Sequence, residues 1–236
     1  MVFHSLQERQ SYHLDALNVS IFHCLVLGVS AQSLLLSSIV EENGKTGWPT
    51  IYALIRALQI ELGIQVTADN FGNGTINAFK AKYPTGIHQQ ADGDETEDKV
   101  YGIIQGALLC KGYATGVSTP TLHFYNGTGN AIKQMKEDAG IDSSSSTVTL
   151  NIMKALLSMD YFYSYDTSAK TQNIQAIQRF LNANYESYIG LTPCDGVYGR
   201  GTNKALIFAL QKMEVQHRTP VQASCWEFPQ ESHPQS

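Results

Sequence analysis

The sequence predicts an all-α fold built from small three-helix modules in tandem. Three observations carry the prediction. Apolar residues recur at helical spacing in successive stretches, a glycine-rich loop bearing an aromatic returns three times, and strand-like alternation never persists. The loops read Asp69-Asn70-Phe71-Gly72-Asn73-Gly74-Thr75, then His123-Phe124-Tyr125-Asn126-Gly127-Thr128, then Asp195-Gly196-Val197-Tyr198-Gly199-Arg200-Gly201-Thr202. Each is followed by an alanine three residues after its threonine: Ala78, Ala131 and Ala205.

In the first unit, Ile51, Leu54, Ile55, Leu58 and Leu62 fall on one face of a helix. Val100, Ile103, Ile104, Ala107 and Leu108 repeat the spacing in the second unit, and Ile174, Ile177 and Leu181 give a thinner stripe in the third. Helix stops are expected at Gly63, at Gly112 and in the Asn182–Asn184 stretch, because glycine and asparagine tolerate the left-handed closing conformation. The second helices are expected to open at Thr75, Thr128 and Thr202, each acting as an N-cap, with Phe79, Ile132 and Leu206 supplying core groups. Thr147–Leu157 reads as a further helix with Leu150, Met153 and Leu157 on one stripe, closing the second unit.

These readings divide the chain into an N-terminal segment (1–41), modules over 42–91, 99–160 and 170–213 (the last incomplete), and a mobile tail over 214–236. The run Asp92-Gly93-Asp94-Glu95-Thr96-Glu97-Asp98 is a solvated acidic linker. As a calcium loop it fails, since Glu97 stands where the glycine belongs and Ile103 where the closing glutamate belongs. No metal and no cofactor is expected.

Composition narrows the function. The 236 residues are 43% hydrophobic and 16% charged, enough to bury a core. A net charge of −5 argues against a nucleic-acid partner, which demands clustered Lys and Arg. Cys24, Cys110, Cys194 and Cys225 form no C-x-x-C pair, and their pairing stays open. Ala16–Val40 carries no charge, and Val29-Ser30-Ala31 has the small residues of a signal cleavage site. Against a signal, Arg9 is the one firm positive charge ahead of the apolar core, so a buried or poorly ordered segment is the other reading. Asn18, Ser20, His23 and Gln32 dilute the stretch too far for stable membrane insertion.

A helix with Ala-x-Gln-x-x-Leu, then Asp-Gly-x-aromatic-Gly-x-x-Thr, then Thr-x-x-Ala-apolar resembles the peptidoglycan-binding-like domain. The third unit carries it best, with Ala176-Ile177-Gln178-Arg179-Phe180-Leu181 ahead of its loop. The first has Ala57-Leu58-Gln59-Ile60-Glu61-Leu62, while in the second Leu108 stands where the glutamine would be. Residues 42–210 are similar to the non-catalytic region preceding a glycoside-hydrolase-like barrel in cell-wall proteins of Gram-positive bacteria. The closing segment and barrel expected from that resemblance do not follow the third unit.

The resemblance implies non-catalytic binding of cell-wall peptidoglycan by a monomer that is extracellular if residues 1–31 are a signal and cytoplasmic if they are not. Phe71, Tyr125 and Tyr198 would lay ring faces on sugar, and Asn70, Asn73, Asn126 and Arg200 would bond stem-peptide amides and carboxylates. The plainer role for Phe71 and Tyr198 is to plug the end of a small core. Two other functions compete: part of a peptidoglycan hydrolase whose catalytic domain is missing, and a helical scaffold for another protein. Catalysis has no motif in support, for there is no His-Glu-x-x-His, no Gly-x-Ser-x-Gly, and no carboxylate pair in an apolar pocket.

Overall fold

In a computed structural model, residues 46–117 and 120–217 are described, with side chains to 214. Seven helices and no strands are found among them, so the fold is all-α. They are α1 (Trp48–Glu61), α2 (Asn73–Lys82), α3 (Lys99–Cys110), α4 (Asn126–Ala139), α5 (Leu150–Leu156), α6 (Ala169–Ile189) and α7 (Arg200–His217).

Local chemistry sets the boundaries. Pro49 in the first turn of α1 presets φ where its missing N–H costs nothing. Asp98 caps α3 by accepting from the Val100 N–H at 2.8 Å, and Ser168 caps α6 through the Thr171 N–H. Gly63 and Gly112 follow α1 and α3 with φ near +78°, where the sequence expects them. The third stop is different: α6 passes through Asn182–Asn184 and ends at Gly190. The closing helix of the second unit is shorter than its sequence pattern, starting after the Thr149 cap. Helix α7 continues past Met213 to His217. The N-terminal segment 1–41 and the tail beyond 217 lie outside the described residues.

Helix α3 is the hub. Val100, Ile103, Ile104, Ala107 and Leu108 are fully buried, because α1, α4 and α5 pack around it. Helix α2 packs on α5. One buried cluster runs from Ile51 through Phe79, Phe124, Ile132 and Phe162 to Cys194, so the first five helices share a single core. The acidic segment 91–97 is largely exposed, as expected, but its flanks are fastened. Ile87 bridges Val148, and Gln90 exchanges bonds with the backbone of Phe124.

Helices α6 and α7 form a hairpin with its own small core of Leu181, Ala205 and Ala209. The buried face of α6 is mostly polar: Thr171, Gln175, Gln178 and Asn182 lie beside Leu181. Ile177, placed on the buried stripe by its periodicity, is instead 44% exposed. Hydrogen bonds join this hairpin to the rest. Arg179 Nε donates to the Asp138 carbonyl at 2.9 Å, and Asn182 Nδ2 donates to the Ala139 carbonyl at 2.9 Å. Both carbonyls are at the C-terminus of α4, where helical partners run out. Asn182 also accepts from the Thr192 N–H and donates to its carbonyl. Gly140 is required here: its φ is +75°, and a Cβ would meet Arg179 side-chain atoms at 2.6 Å.

Asn182→Ala is therefore expected to weaken the joint by about 2–4 kcal/mol, since it strands three buried backbone groups. Amide exchange should accelerate across 169–217 and change little across 48–156. Equal acceleration in both regions would show that the hairpin is not held separately.

Candidate functional site

A buried glutamine organises each loop, and the arrangement occurs three times. Gln59 Nε2 donates to the Asn70 carbonyl at 2.9 Å and to Thr75 Oγ1 at 3.0 Å, while its Oε1 accepts from the Ala68 N–H. Gln105 Nε2 donates to the His123 carbonyl at 2.8 Å and Thr128 Oγ1 at 2.9 Å, and its Oε1 accepts from the Thr121 N–H. Gln178 Nε2 donates to Asp195 Oδ1, the Val197 carbonyl and Thr202 Oγ1, while its Oε1 accepts from the Gly196 N–H. All three glutamines and all three threonines are buried. A primary amide suits the task because it donates and accepts at adjacent atoms, clasping a loop without a charge.

This geometry corrects two sequence expectations. The second unit does have its glutamine: it is Gln105, and Leu108 occupies the position of Leu62 and Leu181. The threonines are not N-caps. Helices α2 and α4 begin two residues earlier, at Asn73 and Asn126, with Gly72 and Tyr125 as caps. The Gly199 carbonyl likewise accepts from the Asn203 N–H. Each threonine thus sits in the first turn with its hydroxyl turned to the glutamine.

The loop register shifts accordingly. Counting back from the threonines, the aromatic position holds Phe71, Phe124 and Tyr198, and Tyr125 lies one residue later. Phe124 is fully buried, Phe71 is half-buried against the main core, and Tyr198 is 57% exposed. The core-plug role fits Phe124, which the sequence reading passed over, and not Tyr198. Tyr125 stacks on His123 with ring centroids 5.1 Å apart, and its hydroxyl donates to the Asp94 carbonyl. Gly127 in this loop lies so close to Thr115 that a Cβ would meet the carbonyl oxygen at 2.2 Å.

The remaining candidates are solvent-facing. Asn70, Asn73, Asn126 and Arg200 are exposed, and the Asn126 side chain accepts from Gln89 Nε2 at 2.7 Å. Tyr198 and Arg200 make no side-chain hydrogen bond among the described residues.

Phe71 alone of these residues lines a described cavity. The groove, about 270 Å³, runs between the first loop, the C-terminal end of α5 and the Ile189-Gly190-Leu191 turn. Lys154 and Asp160 place opposite charges on its walls, with Asn151 and Ser158 between them and Leu157 and Leu191 as apolar lining. Asn151 is oriented by Glu186, to which its Nδ2 donates at 3.2 Å. Sequence reasoning missed this groove because α5 and the α6 end are far from Phe71 in the chain.

Among the described residues no group of three or more His, Cys, Asp or Glu side chains is placed to hold a metal ion. Cys110 and Cys194 are free buried thiols. No helix among the described residues is long and apolar enough to cross a membrane.

Residues 167–220 match the family model described as "FadG/YbfG, PGDB-like domain". They cover α6, the third loop and α7, and a domain of this class fits the peptidoglycan-binding-like expectation. Two Bacillus subtilis (strain 168) proteins are similar over a longer stretch. "Uncharacterized protein YbfG" is 51% identical over 175 residues, covering 74% of this chain and 22% of the relative. "Uncharacterized protein FadG" is 41% identical over 178 residues, covering 74% of this chain and 29% of the relative. The chain thus corresponds to less than a third of either relative's length. No solved structure matches it significantly.

Proposed function

We propose that this chain binds bacterial cell-wall peptidoglycan without catalysis, as three peptidoglycan-binding-like modules in tandem that hold the protein at the wall. The observation carrying this reading is the threefold glutamine–threonine clasp, which fixes a glycine-rich loop at the start of a second helix in every unit. The domain match over 167–220 supports the third unit directly, and the clasp extends the same pattern to the other two.

Ligand contacts follow from exposure and chemistry. Tyr198 offers a free ring face to sugar, and Arg200 beside it offers a two-pronged donor to a stem-peptide carboxylate. In the second loop Tyr125 offers the ring face not stacked on His123, and Asn126 its amide N–H groups; in the first, Asn70 and Asn73 offer their amides to stem-peptide groups. The groove beside Phe71 takes a peptide end, with Lys154 facing a carboxylate, Asp160 facing an ammonium and the apolar lining facing small side chains. Each contact is weak. Linked along one polymer they act together, because the second and third engagements are intramolecular.

Co-sedimentation with purified peptidoglycan sacculi, beside chitin and cellulose controls, tests the reading. Saturable pelleting with sacculi alone is expected. Tyr198→Ala with Arg200→Ala should weaken it by about tenfold, the effect of roughly 1.4 kcal/mol of lost contact. The exposed positions leave folding intact. A folded protein that stays in the supernatant would remove peptidoglycan as the ligand.

A further inference from the structure

We infer that the groove beside Phe71 recognises the free amino-carboxylate end of a diamino-acid side chain, and so takes stem peptides that are not cross-linked. The inference rests on the peptidoglycan reading and narrows it to one chemical group.

Electrostatics decide which charge the groove prefers. Two helices end on it: α5, whose C-cap Leu157 is in the lining, and α6, through Ile189 and its C-cap Gly190. The last carbonyls of a helix lack helical partners, and the aligned peptide dipoles make that end negative. Asp160 adds a carboxylate to the lining. Asn151 spends its Nδ2 on the Glu186 carboxylate at 3.2 Å, which leaves its Oδ1 to accept and sets a second anion behind it. Acceptors of this kind, gathered at one place, suit a cation rich in N–H donors, which is an ammonium.

Two lysines complete the charge pattern. Lys111 is buried, and its Nζ is engaged by the Ser158 and Asp160 carbonyls, so it fixes the wall without reaching a ligand. Its charge offsets part of that on Asp160, which gives the helix ends and Asn151 their weight. Lys154 is exposed and lines the groove. Among the described residues no ion pair joins Lys154 to Asp160 or to another carboxylate. A ligand with both charges on one carbon answers both side chains, whereas a plain amine leaves Lys154 without its anion. Between the charges, Ala155, Leu157 and Leu191 give apolar surface for the methylene chain that carries such an end.

Few stem-peptide groups meet these terms. The C-terminus offers a carboxylate without an ammonium, and a lysine side chain offers an ammonium without a carboxylate. A diamino-dicarboxylic acid offers both at the end of its side chain. Cross-linking acylates that amine, which removes its charge and two of its three N–H donors. Asp160 is then left without a cation, and the groove tells free stems from joined ones.

The probe is the tripeptide L-alanyl-γ-D-glutamyl-meso-diaminopimelate, beside the same tripeptide acetylated on its side-chain amine. Each is titrated into the full chain to about 10 mM and followed by NMR, which covers a millimolar dissociation constant. The free form should shift resonances of Phe71, the end of α5 and residues 189–191, and the acetylated form should bind about tenfold more weakly. Asp160→Asn should weaken the free form by about tenfold and leave the acetylated form unchanged, whereas a purely structural role would weaken both alike. Lys154→Gln, at an exposed position, should weaken both forms, since both keep the carboxylate. Equal binding of the two tripeptides overturns the inference, as does a preference for the free form that Asp160→Asn leaves intact. Sacculi separate this from the wider reading. Pelleting that survives acetylation of the wall amines, with no response to the tripeptide, removes this inference and keeps peptidoglycan as the ligand. A folded chain that neither pellets nor responds removes both.

Discussion

Gln105→Leu is expected to be the most destabilising conservative-volume substitution in the chain, costing about 3–5 kcal/mol. Leucine fills nearly the same space, so the loss is polar and not a cavity. Gln105 is 1% exposed and touches the loop at four atoms. Its removal takes the acceptor from the part-buried Thr121 N–H and the donor from the buried Thr128 hydroxyl, and leaves the His123 carbonyl only the Thr121 hydroxyl. Thermal unfolding should fall by well over ten degrees, given about 4–8 °C per kcal/mol in a small domain and about half that in a larger one. Gln105→Glu sharpens the test. A carboxylate puts an acceptor against the His123 carbonyl, while its protonated form can donate there. Burial raises the carboxyl pKa in the folded protein, so part of the stability should return as pH falls and be lost as pH rises. Gln105→Leu that melts like the wild type would mean that the clasp is decoration. The matching change at Gln178 is expected to act locally, because the α6–α7 hairpin has its own small core.

What the sequence reveals here depends on which physical quantity a residue reports. Helical faces of α1 and α3 were legible because Ile51, Leu54, Leu58, Ile103 and Ile104 repeat at the helix period and are buried. The stops at Gly63 and Gly112 were legible because a left-handed φ favours glycine. Asn182 misled for a definite reason: asparagine is common at helix ends, yet here its amide is consumed by buried carbonyls of another helix and of Thr192. Ile177 misled because periodicity reports which residues share a face and not whether anything covers it. Gln105 was hidden because Ile103 replaces the alanine that precedes the other two glutamines by two positions, which let Leu108 take its place in the alignment. The groove beside Phe71 was invisible, since three segments distant in sequence make it. Of the candidate ligand residues, the sequence chose solvent-facing loop groups at Asn70, Asn73, Tyr198 and Arg200, but in the second loop it was out of register by one.

Stability should rise with pH through the titration of Lys111, and the difference from Lys111→Met isolates that group. Lys111 is 2% exposed and donates from Nζ to the Ser158 and Asp160 carbonyls at 2.8 and 2.6 Å. No carboxylate is bonded to it in that arrangement. Burial pushes its pKa down to about 8, only partly offset by the charges of Asp160 and Cys110. The unfolded chain holds its proton to about 10.4. Between those values the unfolded state binds more protons than the folded state, so the folded state gains with rising pH, by up to about 1.4 kcal/mol per unit. Below about 8 both states hold the proton and the penalty of a buried charge is constant. The thiols work in the opposite sense: burial raises the pKa of Cys110 and pushes Cys194 up to about 12, so their contribution is lost as the unfolded thiols ionise. That opposition makes the wild-type profile alone a poor readout. Denaturant unfolding of wild type and Lys111→Met from pH 7 to 10 removes the thiols by subtraction. The wild type should gain on the variant steadily above about pH 8, and a difference that stays flat would mean that Lys111 keeps an ordinary pKa. Ser158 and Asp160 also line the groove beside Phe71, so the Lys111 bonds hold one wall of the candidate ligand site. Deprotonation keeps two of three N–H donors, enough for both carbonyls, so the groove should keep its shape across the same titration while global stability changes.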